Sequence, residues 1–203
     1  MTQGNSLTNR QIKALETREK LFNSALSLFA EKGYDNVTID EIVARAGTSK
    51  GAFYIYFKTK YQVVVRQFQE IDNHYNKIQK TLKEYNTASE KMLVLTKAQL
   101  TFALKKMGLE VITTVYKSQL NKDEEKAIVN PKRILYKIVN EIIEEGQKTG
   151  EFRDDLSSQE LTRMVTRCMR ATFFDWAVHN GSFDFVEDGY RFISEFIMRA
   201  LLK

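Results

Sequence analysis

Two histidines and one cysteine are the side chains in this 203-residue chain best suited to making bonds or holding a metal. His74 and His179 lie far apart, and neither stands in a metal-ligand spacing such as H-E-x-x-H. His74 reads as a helix-surface residue and His179 as a helix-end residue. Cys168 has no second cysteine with which to form a disulfide, a redox pair or a multi-cysteine metal site. It sits in an amphipathic segment and reads as a small hydrophobe. No phosphate-cradling glycine loop and no G-x-S-x-G nucleophile string is present. The acidic pairs Glu124-Glu125, Glu144-Glu145 and Asp154-Asp155 read as solvated charge. The expectation is therefore no catalytic residue, no metal and no cofactor. A different chemistry is on offer around residue 50. Lys50, Gly51, Tyr54 and Tyr56 are cationic, bare or phenolic, none is needed for a core, and together they make a face suited to a polyanion.

The elements that would position this face can be read from spacing. Leu21, Ala25, Leu28 and Phe29 recur at i, i+4, i+7 and i+8, with Phe22 beside them, on a helix that starts near Arg10 and stops at Gly33. Residues 1–9 are polar and read as frayed. Thr38-Ile39-Asp40-Glu41 has the form of a capping box, and Ile39, Ile42, Val43 and Ala46 give the next helix its stripe. Gly47 allows a positive φ and a sharp turn. Thr48 and Ser49 then cap a short helix from Lys50 to Phe57, with Phe53 and Phe57 facing the first two. Two short helices joined by a tight glycine turn behind a longer one form a helix-turn-helix unit, here about residues 38–57. A helical hairpin without a DNA role is the alternative, and the polar exposed face weighs against it.

The run Phe22…Ala25…Leu28-Phe29…Gly33-Tyr34…Thr38-Ile39-Asp40-Glu41-Ile42…Ala46-Gly47-Thr48-Ser49-Lys50-Gly51-Ala52-Phe53-Tyr54-Ile55-Tyr56-Phe57-Lys58-Thr59-Lys60 resembles the DNA-binding domain of the TetR/AcrR family. The resemblance covers roughly residues 15–75. Tyr56 stands where histidine is common and Tyr61 where an acidic residue is common; the second change is expected to affect mainly the capping of helix four. The resemblance implies that Thr48, Ser49, Lys50, Gly51 and Ala52 lie at the floor of a DNA major groove, with Lys50 donating to guanine O6 and N7. It implies phosphate contacts from Tyr54, Tyr56, Thr38 and Lys60, where capping alone also explains Thr38. It further implies that helix four, expected from Thr59 to about Tyr85 with a Thr59-x-x-Gln62 box, links the reading head to a regulatory body.

Residues 76–203 read as that body. Expected helices run from Ala88 to Met107, from Leu109 to Leu120, from Pro131 as first helical residue up to Gly146, from the Ser157-x-x-Glu160 box to about Asn180, and from near Asp184 to the end. Leu135, Val139, Ile142 and Ile143 form one stripe, and Val186, Tyr190, Ile193 and Ile197 another. The last two helices are rich in aromatics. The family builds its dimer interface from two C-terminal helices of each subunit, which makes Phe173, Phe174, Trp176, Ile193, Phe196 and Ile197 interface candidates here, against a place in the subunit's own core. The family also binds small molecules between its middle helices. Phe102, Met107, Tyr116, Tyr136, Met164 and Cys168 could line such a pocket, although plain core is the better explanation of each. The ligand itself is unknown from the sequence.

Composition sets the frame. With 43% hydrophobic and 28% charged residues, one proline and nine glycines, the chain is expected to be all-α: an N-terminal three-helix helix-turn-helix domain and a C-terminal helical ligand-binding and dimerisation domain. The net charge is +5, and residues 1–60 carry nine basic against six acidic side chains. The polar N-terminus is not expected to act as a signal peptide, no stretch is apolar enough to read as a membrane-spanning helix, and a cytoplasmic protein is expected. The leading expectation is a homodimeric regulator, not an enzyme, that represses from a near-palindromic operator in double-stranded DNA and is released by a small-molecule effector. Alternatives are a DNA-binding regulator without an effector, and a helical enzyme or interaction module.

Overall fold

The computed structural model describes residues 8–120, 122 and 126–203. These residues are organised in helices, and their one extended pairing is an isolated antiparallel bridge between Phe152 and Leu202. The chain divides into two compact units, residues 1–66 and 67–203. The division falls inside the fourth helix, earlier than the 75/76 boundary expected from the sequence.

In the first unit, α1 (Asn9–Lys32) begins one residue before the expected start, because Thr8 and Gln11 form a capping box. Its buried face is Leu21, Phe22, Ala25, Leu28 and Phe29. α2 (Ile39–Ala46) is held by the Thr38/Glu41 box and ends at Gly47, whose φ of 64° and ψ of 40° lie in the left-handed region that side chains resist. α3 (Lys50–Tyr56) is capped by Ser49, whose hydroxyl accepts from the Ala52 amide. Ile42, Phe53 and Phe57 are almost fully buried with the α1 face. Burying each such side chain is worth about 1.5–3 kcal/mol, so this small core holds the three helices together. The surrounding ion pairs, Lys32–Glu41 and Arg45–Glu31, are exposed and set orientation more than stability.

α4 (Lys60–Thr81) ends four residues before the expected Tyr85, and a 3-10 turn (Leu82–Glu84) follows. Its expected box is only half made: the Gln62 amide reaches the Thr59 hydroxyl, but the Gln62 side chain accepts from the Lys58 amide. In the second unit, α5 (Ala88–Phe102) is capped by a Thr87/Glu90 box and widens into a π-helical turn (Ala103–Met107) before Gly108. α6 (Gly108–Leu120) and a 3-10 turn (Ala127–Val129) follow. α7 (Ile134–Thr149) starts later than expected. Pro131 lies in a turn in which the Asn130 side chain accepts from the Lys132 amide and the Asn130 carbonyl from the Arg133 amide; this turn chemistry outcompetes an earlier helix start. Gly146 does not stop α7 either. It lies inside the helix, where a Cβ would stand 2.3 Å from the ring of Phe152.

α8 (Ser158–Val178) carries the expected Ser157/Glu160 box, and α9 (Phe185–Arg191) is capped by Asp184. A π-helical segment (Phe192–Ile197) joins α9 to α10 (Met198–Leu201). One core gathers Met92 and Leu95 from α5, Ile138, Val139, Ile142 and Ile143 from α7, Leu161, Val165 and Met169 from α8, and Ile193, Ile197 and Leu201. A smaller one sets Trp176 on Phe185, rings stacked 4.5 Å apart, beside Leu100, Ala103 and Ile112. No helix among the described residues is long and apolar enough to cross a membrane.

Candidate nucleic-acid interface and ligand cavity

Once Phe53 and Phe57 are buried, α3 can show solvent only what is left. Ser49, Lys50, Gly51, Tyr54 and Ile55 are exposed, and Thr48, Ala52 and Tyr56 are half-buried. The structure thus brings Lys50, Gly51, Ala52, Tyr54 and Tyr56 onto one short helix, with Thr48 and Ser49 in the turn that starts it. Gly51 leaves this surface bare without being forced to: a Cβ there would meet only the Ser49 hydroxyl, at an ordinary 3.7 Å. Lys50 is engaged in the absence of DNA. Its Nζ lies 2.9 Å from the Asp40 carboxylate, an exposed pair that raises the lysine pKa. Ile55, which sequence reasoning passed over, is 77% exposed beside Tyr54. An apolar side chain on a helix of this kind is a candidate for contact with a thymine methyl, and its place outside the i, i+4 core stripe was the signal that could have found it.

Two expected phosphate ligands do other work here. The Thr38 hydroxyl and amide both donate to Glu41, and the hydroxyl accepts from the Glu41 amide. Lys32 adds an ion pair at 2.6 Å, and these contacts, the lysine first, hold the Glu41 carboxyl down at about 2. Lys60 points inward. Its Nζ donates to the carbonyls of Tyr34 and Val37 at 2.8 and 2.7 Å and lies over the Tyr34 ring, and partial burial lowers its pKa. Lys60 therefore ties the start of α4 to the α1–α2 connection, with two of its three N–H donors used. Tyr61, expected to matter for capping, is buried at 6% exposure. Arg45 pairs with Glu31, and Arg66 pairs with Glu19 while its guanidinium covers the Phe22 ring.

The second unit encloses a cavity of about 70 Å³. Phe68, Ile71 and Tyr75 of α4 form one wall, Gln99, Phe102, Ala103 and Met107 a second, and Ile112, Val115 and Tyr116 of α6 a third; Leu135, Tyr136, Arg170 and Phe173 complete it. Of the pocket candidates, Phe102, Met107, Tyr116 and Tyr136 do line it. Met164 is 51% exposed and Cys168 packs against the main core, so these two do not. His74, expected on a helix surface, is half-buried and stacks on Phe102 at 4.0 Å, and burial lowers its pKa.

The cavity's polar groups converge. Tyr116 donates to the Arg170 carbonyl, Arg170 to the Tyr136 hydroxyl, and Tyr136 to the Ile128 carbonyl. Burial pushes the Tyr75 and Tyr116 phenols up, so both stay neutral donors. Arg133 grips the Asp72 carboxylate through Nε and Nη2, the closest contact 2.7 Å, and its guanidinium covers Phe68. None of these polar partners was visible in the sequence, because all but the Tyr136–Ile128 contact join segments tens of residues apart.

The interface candidates divide. Trp176, Ile193 and Ile197 are corrected to the subunit's own core, at 6, 1 and 6% exposure, because the short connection through Gly181 folds α9 back on α8 and α5. Phe173 packs against the smaller core, edge-on to Phe185. Phe174 and Phe196 remain in solvent, together with Val178 and Phe192.

Comparison with known proteins agrees with this two-part arrangement. A family model for bacterial regulatory proteins of the tetR family matches residues 21–66, and one for the C-terminal region of YsiA-like proteins matches residues 65–197. The chain belongs to the TetR family. It is a DNA-binding transcriptional regulator with a helix-turn-helix and a helical C-terminal domain. Among relatives of this TetR-family chain, the fatty acid metabolism regulator protein of Bacillus subtilis is 23% identical over 168 residues, 82% of this chain and 87% of the relative. The solved FadR of Bacillus subtilis in complex with stearoyl-CoA superposes with a TM-score of 0.73 at 22% identity, over 91% of this chain and 97% of that one. FadR of Thermus thermophilus in complex with lauroyl-CoA gives 0.69 at 20% identity, over 92% and 95%. At these identities the structures share the fold.

Proposed function

We propose that this TetR-family regulator is a cytoplasmic homodimeric repressor that leaves its operator when an acyl-chain ligand enters the cavity of its C-terminal unit. The observation that carries the proposal is the cavity itself: apolar walls, a few converging polar groups, and one wall made by α4. At about 70 Å³ it is far below the roughly 300–1,000 Å³ of ordinary ligand sites. A ligand therefore has to push its walls apart. Phe68, Ile71 and Tyr75 move with α4, and Asp72 on the same helix is held by Arg133. α4 begins at Lys60, in the DNA-binding unit, so its displacement is transmitted along a single helix. The fatty acid regulator among the relatives and the acyl-CoA complexes among the solved structures support an acyl ligand.

On the DNA side, Lys50, with Thr48, Ser49, Gly51 and Ala52, reads base edges in the major groove; Tyr54 and Tyr56 contact phosphates, with a lesser share for Thr38 and Lys60. Exposed Phe174, Val178, Phe192 and Phe196 support a dimer, since clustered exposed aromatics favour burial against a partner. A two-fold dimer reads half-sites about 34–36 Å apart.

The test is selection of binding sites from a random duplex pool near physiological salt, followed by titration of the complex with lauroyl-CoA and stearoyl-CoA. Enrichment of a near-palindrome, and its release by an acyl-CoA, is expected. Enrichment without release by either compound would remove the effector and leave a ligand-independent regulator. No enrichment, with a Lys50→Ala/Tyr54→Ala variant behaving like the parent, would remove sequence-specific binding.

A further inference from the structure

A second depression lies on the far side of Phe102. It has a volume of about 730 Å³ and is lined by α4, α5, the π-helical turn and Tyr190. Its charge is one-sided: Lys77, Lys97, Lys105 and Lys106 line it, and no carboxylate does. None of these four lysines forms an ion pair with another described residue. Lys97 is instead poised over the Tyr190 ring, 5.1 Å from its centre. Unpaired like charges held in one concavity raise its potential and attract an anion of matching size.

The groove and the cavity share Phe102, and the π-helical turn serves both. Its wider winding turns Ala103 and Met107 to the cavity and Lys105 and Lys106 to the groove. Phe102 is half-buried and stacked on His74, so an aromatic pair rather than a packed helix face separates the two spaces.

We propose that this groove seats the polyphosphate headgroup of the effector, whose apolar chain passes the His74–Phe102 stack into the cavity. The inference rests on the acyl-ligand reading and deepens it, from an apolar chain to a chain carrying a multiply charged phosphate group, as an acyl-CoA does. The lysines bind phosphate oxygens. A free fatty acid fills only the cavity and makes none of these contacts.

The experiment is calorimetric titration of the full-length protein with lauroyl-CoA and with lauric acid, for the parent chain and a Lys97→Glu/Lys105→Glu/Lys106→Glu variant. All three residues are exposed, and circular dichroism checks that the variant folds. The variant is expected to lose affinity for lauroyl-CoA by roughly tenfold or more relative to lauric acid. In the parent, added salt should weaken only the lauroyl-CoA complex. Equal loss for both ligands, or none for either, overturns the headgroup site and leaves the acyl reading standing. Failure of the parent to bind either compound overturns the acyl reading and the groove with it.

Discussion

The two units close helices on apolar cores with a different balance of contacts. Around α2 and α3 the polar contacts are short-range, as in Thr38 to Glu41, Ser49 to Ala52, Lys50 to Asp40 and Arg45 to Glu31, while Lys60 to Tyr34 and Arg66 to Glu19 reach further at the start of α4. In the C-terminal unit they span the chain: Lys91 to Glu145, Arg133 to Asp72, and the Glu151 carboxylate accepting from the Ala88 and Ser89 amides at the start of α5. The exposed face of α3 is thus a by-product of local folding, being whatever that helix does not bury. The cavity is a product of tertiary assembly, its walls coming from helices far apart in the chain.

The sharpest contrast lies in two helical glycines. A Cβ at Gly146 would run into the fully buried Phe152 ring, whereas one at Gly51 meets only the Ser49 hydroxyl at an ordinary contact distance. Gly146→Ala should cost about 1–3 kcal/mol of stability in denaturant unfolding through overpacking. Gly51→Ala should leave stability unchanged or raise it by up to about 1 kcal/mol, while weakening operator binding by holding the backbone off the groove. If Gly51→Ala binds its operator as the parent does, the bare surface of α3 has no role in approach, and the contrast fails.

Next in size is Lys50. Lys50→Ala should lower operator affinity roughly tenfold to a hundredfold and relax base preference at one position, measured by repeating the site selection with the variant. The Asp40 carboxylate holds the Lys50 ammonium that the proposed DNA contact needs, so Asp40→Asn should tighten binding to all sequences. A uniform loss across sequences in Lys50→Ala would reassign Lys50 from base reading to phosphate contact.

Much of the first unit was legible because its determinants lie within a few residues of one another. The Thr38 box, the Gly47 turn, the Ser49 cap and the buried pair Phe53 and Phe57 all follow from spacing, and the exposed face follows by subtraction. The inward contacts of Lys60 and the burial of Tyr61 were not legible, because what holds them is Tyr34, Val37 and the core, which no i, i+4 rule connects to residue 60. In the second unit the helices were legible but not their junctions. Pro131 entered a turn, Gly146 answered Phe152 rather than a helix end, and the Arg133–Asp72 pair joins residues 61 apart. Four of the residues considered for the pocket do line it, yet nothing local separated them from Met164 and Cys168.

The smallest effect concerns a motif both units share. α2, α5 and α8 all start with a capping box, and the acids Glu41, Glu90 and Glu160 are all held below their ordinary value near 4.5. Glu90 and Glu160 owe this to their capping residues, chiefly the Thr87 amide and the Ser157 hydroxyl. Glu41 has Lys32 of α1 in addition and reaches about 2. An acid with a depressed folded-state pKa contributes stability that is present above its unfolded value and lost as pH falls through the folded one. The contribution of Glu41 should therefore fade between about pH 4.5 and about pH 2. NMR titration of the glutamate carboxyl carbons should find Glu41 below Glu90 and Glu160, and Lys32→Ala should bring it up to join them. Should Glu41 already titrate with the other two in the parent, the box alone sets all three, and α2 is capped as the helices of the C-terminal unit are, without help from its neighbour.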